Sequence, residues 1–266
     1  MKTSRFPHFR AALLGTGLFV SLCSAAIAGE ILFEDSFKVA SDHKTLEDLN
    51  RGADGRQQGS LAPAVYWSNG ATWQSKMDVD PAGHSLIRLY PSANRVPLVL
   101  SPSWYLSEEP GEYSLALQLR PRSWATSEGP ERILIALGAE GGNKTEGAQP
   151  DLAGAILVEI RIDPADGTSL LHVIFDDSEA APQVELPVFS EPDGLHEVKI
   201  RWKQAASRSV ESIAVEVDGT SVLDLPKTAF TPRGSTIFFG GQVGPSQQPA
   251  SQFADMSVSK LQYSRE

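Results

Sequence analysis

After position 23 the chain has no cysteine at all, and its single cysteine, Cys23, lies in the N-terminal apolar stretch. A polypeptide without Cys23 has no disulfide, no thiol nucleophile and no thiolate metal site. A domain of more than 200 residues buries enough apolar surface to fold without such cross-links. Histidine is also sparse, five in 266 residues, with no His-x-His pair and no metalloprotease helix motif. No Gly-x-Ser-x-Gly string marks a nucleophile elbow. Basic residues are outnumbered, 23 against 33 acidic, for a net charge of −10. That balance excludes the broad cationic footprint that nucleic acid requires and disfavours anionic membrane surfaces.

The first 28 residues read as an export signal. Lys2, Arg5 and Arg10 precede an apolar run from Ala11 to Ala26, which ends in the small-x-small pattern Ala26-Ile27-Ala28. The run is short and interrupted by Gly15 and Gly17, so it is a poor membrane span. A lipoprotein signal at Cys23 needs a small residue before it, and Leu22 is not small. Cleavage is expected between Ala28 and Gly29, giving a secreted or periplasmic protein. Removing 28 residues from 266 leaves 238, with 20 basic residues against 33 acidic and a net charge of −13. No membrane insertion is expected once the signal is gone.

Long amphipathic helices are missing too. Short runs with period-two alternation recur, separated by Gly, Pro, Asn and Asp. In Tyr113 to Arg120, Leu115, Leu117 and Leu119 share one face; in Leu195 to Trp202, Val198, Ile200 and Trp202 do. Eleven such runs predict strands: 31–37, 85–90, 113–119, 132–137, 155–162, 170–175, 183–188, 196–202, 212–217, 236–239 and 256–263. Asp218-Gly219 closes the clearest hairpin. One short helix is expected over Thr45 to Asn50. With no internal repeat and no low-complexity tail, residues 29–266 are expected to form one all-β domain, a sandwich or closed barrel.

From Gly194 on, four strings occur in a definite order. They are Gly194-Leu-His-Glu-Val-Lys-Ile-Arg-Trp202, Val215-Glu-Val-Asp-Gly-Thr-Ser-Val222, Ile237-Phe-Phe-Gly-Gly241 and Phe253-Ala-Asp-Met-Ser-Val258. With the opening Leu32-Phe-Glu-Asp-Ser-Phe37, the series resembles a laminin-G-like domain of the concanavalin A-like lectin and glucanase superfamily. The resemblance implies a two-sheet antiparallel jelly-roll whose concave face commonly receives glycans. It also implies a structural calcium where the first and last strands meet, with Glu34 or Asp35 and Asp255 as ligands. It does not imply a reaction.

The β-glucan hydrolases of that superfamily carry carboxylates at alternate positions of one strand. The nearest string here, Glu159-Ile-Arg-Ile-Asp163, has Arg161 in the middle position and no third carboxylate. Jelly-roll polysaccharide lyases instead use an Arg, a Gln and a His. For that alternative, Gln118, Arg120, Glu159, Arg161 and His172 form a candidate row; the plainer account is the polar face of alternating strands. Asp78-Val-Asp80 ahead of Gly83 lacks the remaining ligands of a calcium-binding loop. Asn143-Lys-Thr145 is a glycosylation sequon that matters only in a eukaryotic secretory route. Tyr66, Trp67, Trp73, Trp104, Tyr105 and Trp124 cluster in one quarter of the chain, beside turn residues, and are candidate sugar-stacking platforms. The same rings could equally seal the ends of the sandwich, and His196 and Trp202 are assigned to packing.

Three functions follow from these observations. The leading one is an exported, non-catalytic, lectin-like carbohydrate-binding protein whose partner is a glycan or polysaccharide. The others are a carbohydrate-active enzyme and a structural or protein-interaction domain of the cell envelope.

Overall fold

The structure is a computed structural model that describes residues 29–37, 46–51, 53, 55–69, 76–79, 85–89, 98–122, 131–140, 152–162, 168–175, 183–186, 194–241 and 255–266. The described residues hold sixteen strands, eleven of them at the alternating runs. They are β1 (Glu30–Asp35), β2 (Gln57–Gln58), β3 (Tyr66–Asn69), β4 (Lys76–Val79), β5 (Ser85–Leu89), β6 (Leu98–Pro102), β7 (Gly111–Arg122) and β8 (Glu131–Ala139). Then come β9 (Ile156–Ile162), β10 (Ser169–Phe175), β11 (Gln183–Glu185), β12 (His196–Gln204), β13 (Val210–Val217), β14 (Thr220–Leu225), β15 (Thr236–Gly241) and β16 (Asp255–Arg265). The one helix, α1 (Leu46–Arg51), falls where it was expected.

Two antiparallel sheets result. A nine-stranded sheet runs β14-β13-β12-β7-β16-β1-β2, with β5 on β16 and β4 on β5. A seven-stranded sheet runs β11-β10-β9-β8-β15-β6-β3. The first and last strands pair, Glu30 against Arg265 through Asp35 against Leu261, so the chain's ends lie together in the larger sheet. The arrangement is an all-β, two-sheet antiparallel jelly-roll sandwich, as the alternation and the resemblance imply.

The longer strands give their apolar phase to the space between the sheets. From the larger sheet come Phe33, Leu115, Leu117, Leu119, Val198, Ile200, Trp202, Val215 and Leu261; from the smaller, Tyr66, Ile133, Ile135, Val158, Ile160, Leu171, Val173 and Phe239. Burying one such side chain contributes roughly 1.5–3 kcal/mol, which fixes strand phase, since a one-residue slip exposes the whole set. The β13–β14 hairpin turns at Asp218 (φ 51°) and Gly219 (φ 74°), the two positive angles a type I′ turn needs. At one end of the sandwich Trp104 stacks on Tyr263 (5.0 Å), Tyr263 on Trp202 (6.0 Å) and Trp202 on Tyr113 (5.8 Å).

Candidate functional site

Because Val158 and Ile160 point into the core, alternation turns Leu157, Glu159 and Arg161 to the outer face of the seven-stranded sheet. Register then builds rows across that face. His172 on β10 lies directly across from Glu159, Glu159 across from Leu134 on β8, and Leu134 across from Gly240 on β15. Gln183 takes the register position beyond His172. One step along the strands, Leu170, Arg161 and Arg132 form the next row. On the other side lie Ile174, Leu157, Ala136 and Phe238. Leu134, Ala136, Leu157 and Phe238 make a second apolar cluster outside the main core. The polar group therefore lies beside an apolar cluster that is itself buried, with Leu134, Ala136 and Phe238 all 0 % exposed.

Glu159 and His172 are both 4 % exposed despite lying on an outer face. A buried carboxylate needs a partner, and Glu159 accepts a hydrogen bond from Nε of Arg161 two residues on. Arg161 is more open, with its side chain 36 % exposed.

Of the five residues in the candidate catalytic row, the structure joins three. Glu159, Arg161 and His172 share this face, whereas Gln118 and Arg120 do not. Both lie on β7 of the other sheet, in the phase opposite Leu117 and Leu119, and so on the far exterior of the sandwich. The Gln118 side-chain oxygen accepts a bond from the Ser259 hydroxyl at 3.3 Å. Period two gives a residue's side of a strand but not which sheet the strand joins, and so the row could not be closed from sequence.

The aromatic cluster also divides. Tyr66 is 0 % and Trp104 6 % exposed, so neither ring can receive a sugar; both belong to the core. Tyr105 is half exposed, beside buried Trp104 and Leu106. Trp67 follows inward-facing Tyr66 on β3 and so faces outward on the same side as Glu159. It lies five strand spacings from β10, roughly 24 Å. Trp73, Trp124 and Asp163 fall outside the described residues. Trp202 is a core residue, and His196 is held by Asp218 (Nδ1 to Oδ2, 2.8 Å), both as expected.

Of the residues considered for calcium, Asp35 and Glu34 are engaged by other groups, and the Asp255 side chain falls outside the described residues. Oδ1 of Asp35 accepts from Phe37 N (2.8 Å) and Arg56 Nε (2.7 Å), and Oδ2 from Gln57 Nε2 (2.9 Å) and Tyr66 OH (3.1 Å). Four donors leave this carboxylate no lone pair for a metal. Glu34 points to the opposite side of β1 and pairs with Lys260 (2.8 Å). Asp255 is opposite Arg122, six residues along β16 from Leu261, the partner of Asp35. Burial, reinforced by the charge of Asp35, raises the Tyr66 phenol well above its ordinary value and keeps it a neutral donor. Sequence reasoning missed Arg56, which follows a turn and belongs to no periodic run. It also missed Arg132, whose place opposite Arg161 exists only through pairing of β8 with β9.

No protein-family model and no curated protein sequence matches the chain. Its fold does match solved structures. One is an alginate lyase variant in complex with an alginate trisaccharide, at 12 % identity over 90 % of this chain and 100 % of that one, with a TM-score of 0.56. Another variant, with an alginate tetrasaccharide, aligns at 13 % identity over 89 % and 98 %, TM-score 0.53. The LamAcat protein of Zobellia galactanivorans aligns at 13 % over 89 % and 98 %, TM-score 0.50. At such identities the likeness shows a shared jelly-roll fold and nothing more.

Proposed function

We propose that this chain is an exported carbohydrate-binding protein that takes a polysaccharide across the outer face of its seven-stranded sheet. One observation carries the reading: Glu159, Arg161 and His172 share the outer side of the seven-stranded sheet beside a buried apolar cluster, and Arg161 opens from that group to solvent. Polar side chains that deep cost stability unless they are used or mutually satisfied. Glycan sites combine such convergent polar groups with apolar surface. The laminin-G-like strings of β12 to β16 and the fold shared with proteins solved with alginate oligosaccharides support the same reading. Outward-facing Trp67 marks the far edge of the face, as a stacking platform for a long ligand.

The test is a glycan array followed by calorimetric titration with the best ligand. His172→Ala and Glu159→Gln are expected to weaken binding by about tenfold or more, the worth of one buried polar contact. Silence of the folded protein on the array, with recovery of one protein partner from envelope extract, would instead place it among envelope-interaction domains.

A catalytic reading has its own observation, the direct cross-strand placement of His172 and Glu159, since a histidine beside a carboxylate is a proton-transfer pair. Against hydrolysis by paired carboxylates, Glu159 is engaged by Arg161, and no second carboxylate shares its row among the described residues. New reducing ends or unsaturated uronate ends, lost in His172→Ala, would establish catalysis.

A further inference from the structure

We infer that the buried guanidinium of Arg56, beside Asp35 where β1 and β2 meet β3, holds a small monovalent anion of the halide class on its two terminal amino groups. The site is separate from the glycan face. Strand β9, which carries Glu159, is divided from β3 by β8, β15 and β6.

An arginine side chain keeps its charge when buried, so every one of its N–H donors needs an acceptor. The Arg56 side chain is only 2 % exposed. Its Nε donates to Oδ1 of Asp35 at 2.7 Å. Among the described residues, no acceptor meets Nη1 or Nη2, and both atoms are buried. Donors left unmet in a sealed site are destabilising, so this fork calls for an acceptor.

The neighbouring side chains have already spent theirs. Oδ1 of Asp35 also accepts from Phe37 N (2.8 Å), and Oδ2 accepts from Gln57 Nε2 (2.9 Å) and Tyr66 OH (3.1 Å). Gln57 Oε1 is taken by Ala64 N and Asn50 Oδ1 by Tyr66 N, each at 2.7 Å. The Ala53 carbonyl receives both Arg56 N (3.2 Å) and Gln57 N (3.1 Å). Donors therefore exceed acceptors around the guanidinium. A water molecule would bring hydrogens that need acceptors of their own. A halide brings none and accepts from both amino groups at once. Burial sets the size and charge. So closed a site leaves no opening for a sugar acid or a phosphate group, and a divalent anion costs more to dehydrate than a monovalent one. Asp35 balances the formal charge of Arg56, but its bond is made at Nε, and the amino groups extend beyond it.

The first test is urea unfolding of the purified chain at constant ionic strength, with sodium chloride exchanged for sodium gluconate. An anion bound only by the folded state raises the folding constant about tenfold for each tenfold of free anion above its dissociation constant. Wild type is expected to follow that line. Arg56→Lys keeps a cation for Asp35 without the fork and is expected to lose the response. So is Asp35→Leu combined with Arg56→Met, which removes the pair together. The second test needs no variant. In crystals grown with sodium bromide, an anomalous difference peak is expected within hydrogen-bonding reach of Nη1 and Nη2. A chloride response that persists in both variants is a general salt effect and overturns the site. A wild type indifferent to the exchange overturns it too, as does density at the fork without a bromide signal, which assigns the acceptor as water. None of these failures touches the glycan-binding reading.

Discussion

Arg56 Nε lies 2.7 Å from Asp35 Oδ1 with both side chains sealed from solvent, 2 % and 0 % exposed. Around this pair Gln57 and Tyr66 also donate to Asp35, so one carboxylate ties β1 and β2 of the larger sheet to β3 of the smaller. The guanidinium of Arg56 is the cationic partner of this carboxylate.

Removing the carboxylate strands a buried charge. Asp35→Ala is expected to cost about 3–5 kcal/mol in urea unfolding, whereas Asp35→Leu combined with Arg56→Met costs less, because no lone ion remains. Chelator is expected to leave the melting temperature of the wild-type chain unchanged. Wild-type stability in Asp35→Ala, or a chelator-sensitive melt, would show that something other than Arg56 closes this edge.

Trp104 separates packing from ligand stacking. Wedged between Phe33 (5.3 Å) and Tyr263 (5.0 Å), it is expected to cost about 3–5 kcal/mol on replacement by alanine. Glycan affinity, measured where the variant is still folded, should not change. Tyr105→Ala, at an exposed ring, is expected to shift stability by no more than about 0.5 kcal/mol. A loss of binding in either variant would return the aromatic cluster to the ligand site.

Acid sensitivity should trace in part to Glu266. Burial alone would raise its pKa, but the hydrogen bond and charge of Lys199, a bond with Ser114 and the charge of Arg201 outweigh it and hold it below the ordinary 4.5. A carboxylate held low in the fold stabilises it only when ionised. That contribution is complete above pH 4.5 and disappears as pH falls through the lowered value. Glu266→Gln should therefore melt below wild type at neutral pH, with the difference closing in acid. A constant difference across the range would contradict the assignment.

Export provides a check independent of the fold. Expressed with its own N-terminus in a secreting host, the chain is expected to appear outside the cytoplasm with Gly29 as its first residue, read by N-terminal sequencing. A lipid-modified Cys23, or retention of Met1, would contradict the cleavage assigned to Ala26-Ile27-Ala28.

All eleven alternating runs contain strands of the structure, because burial of one face writes a period of two into the sequence. Val198, Ile200 and Trp202 were legible as a core face for that reason. The strands that escaped are short or lack a clean alternation over enough residues to stand out. Gln57–Gln58 is two residues long, and Leu98–Pro102 reads as an apolar run ending in proline. Tyr66 and Trp104 stood open between ligand platform and core because an aromatic beside a turn has the same local sequence whether it faces a sugar or the core.

The sequence by itself determined the all-β class, the phase of most strands and the Asp218-Gly219 hairpin, since each is set by neighbours a few residues apart. Tertiary structure alone decided which polar residues meet. His172 comes opposite Glu159 only through pairing of β10 with β9, while Gln118 and Arg120 were carried to the opposite exterior by the sheet that β7 joins. Cross-strand partners are chosen by burial summed over whole sheets, and no local pattern encodes that sum.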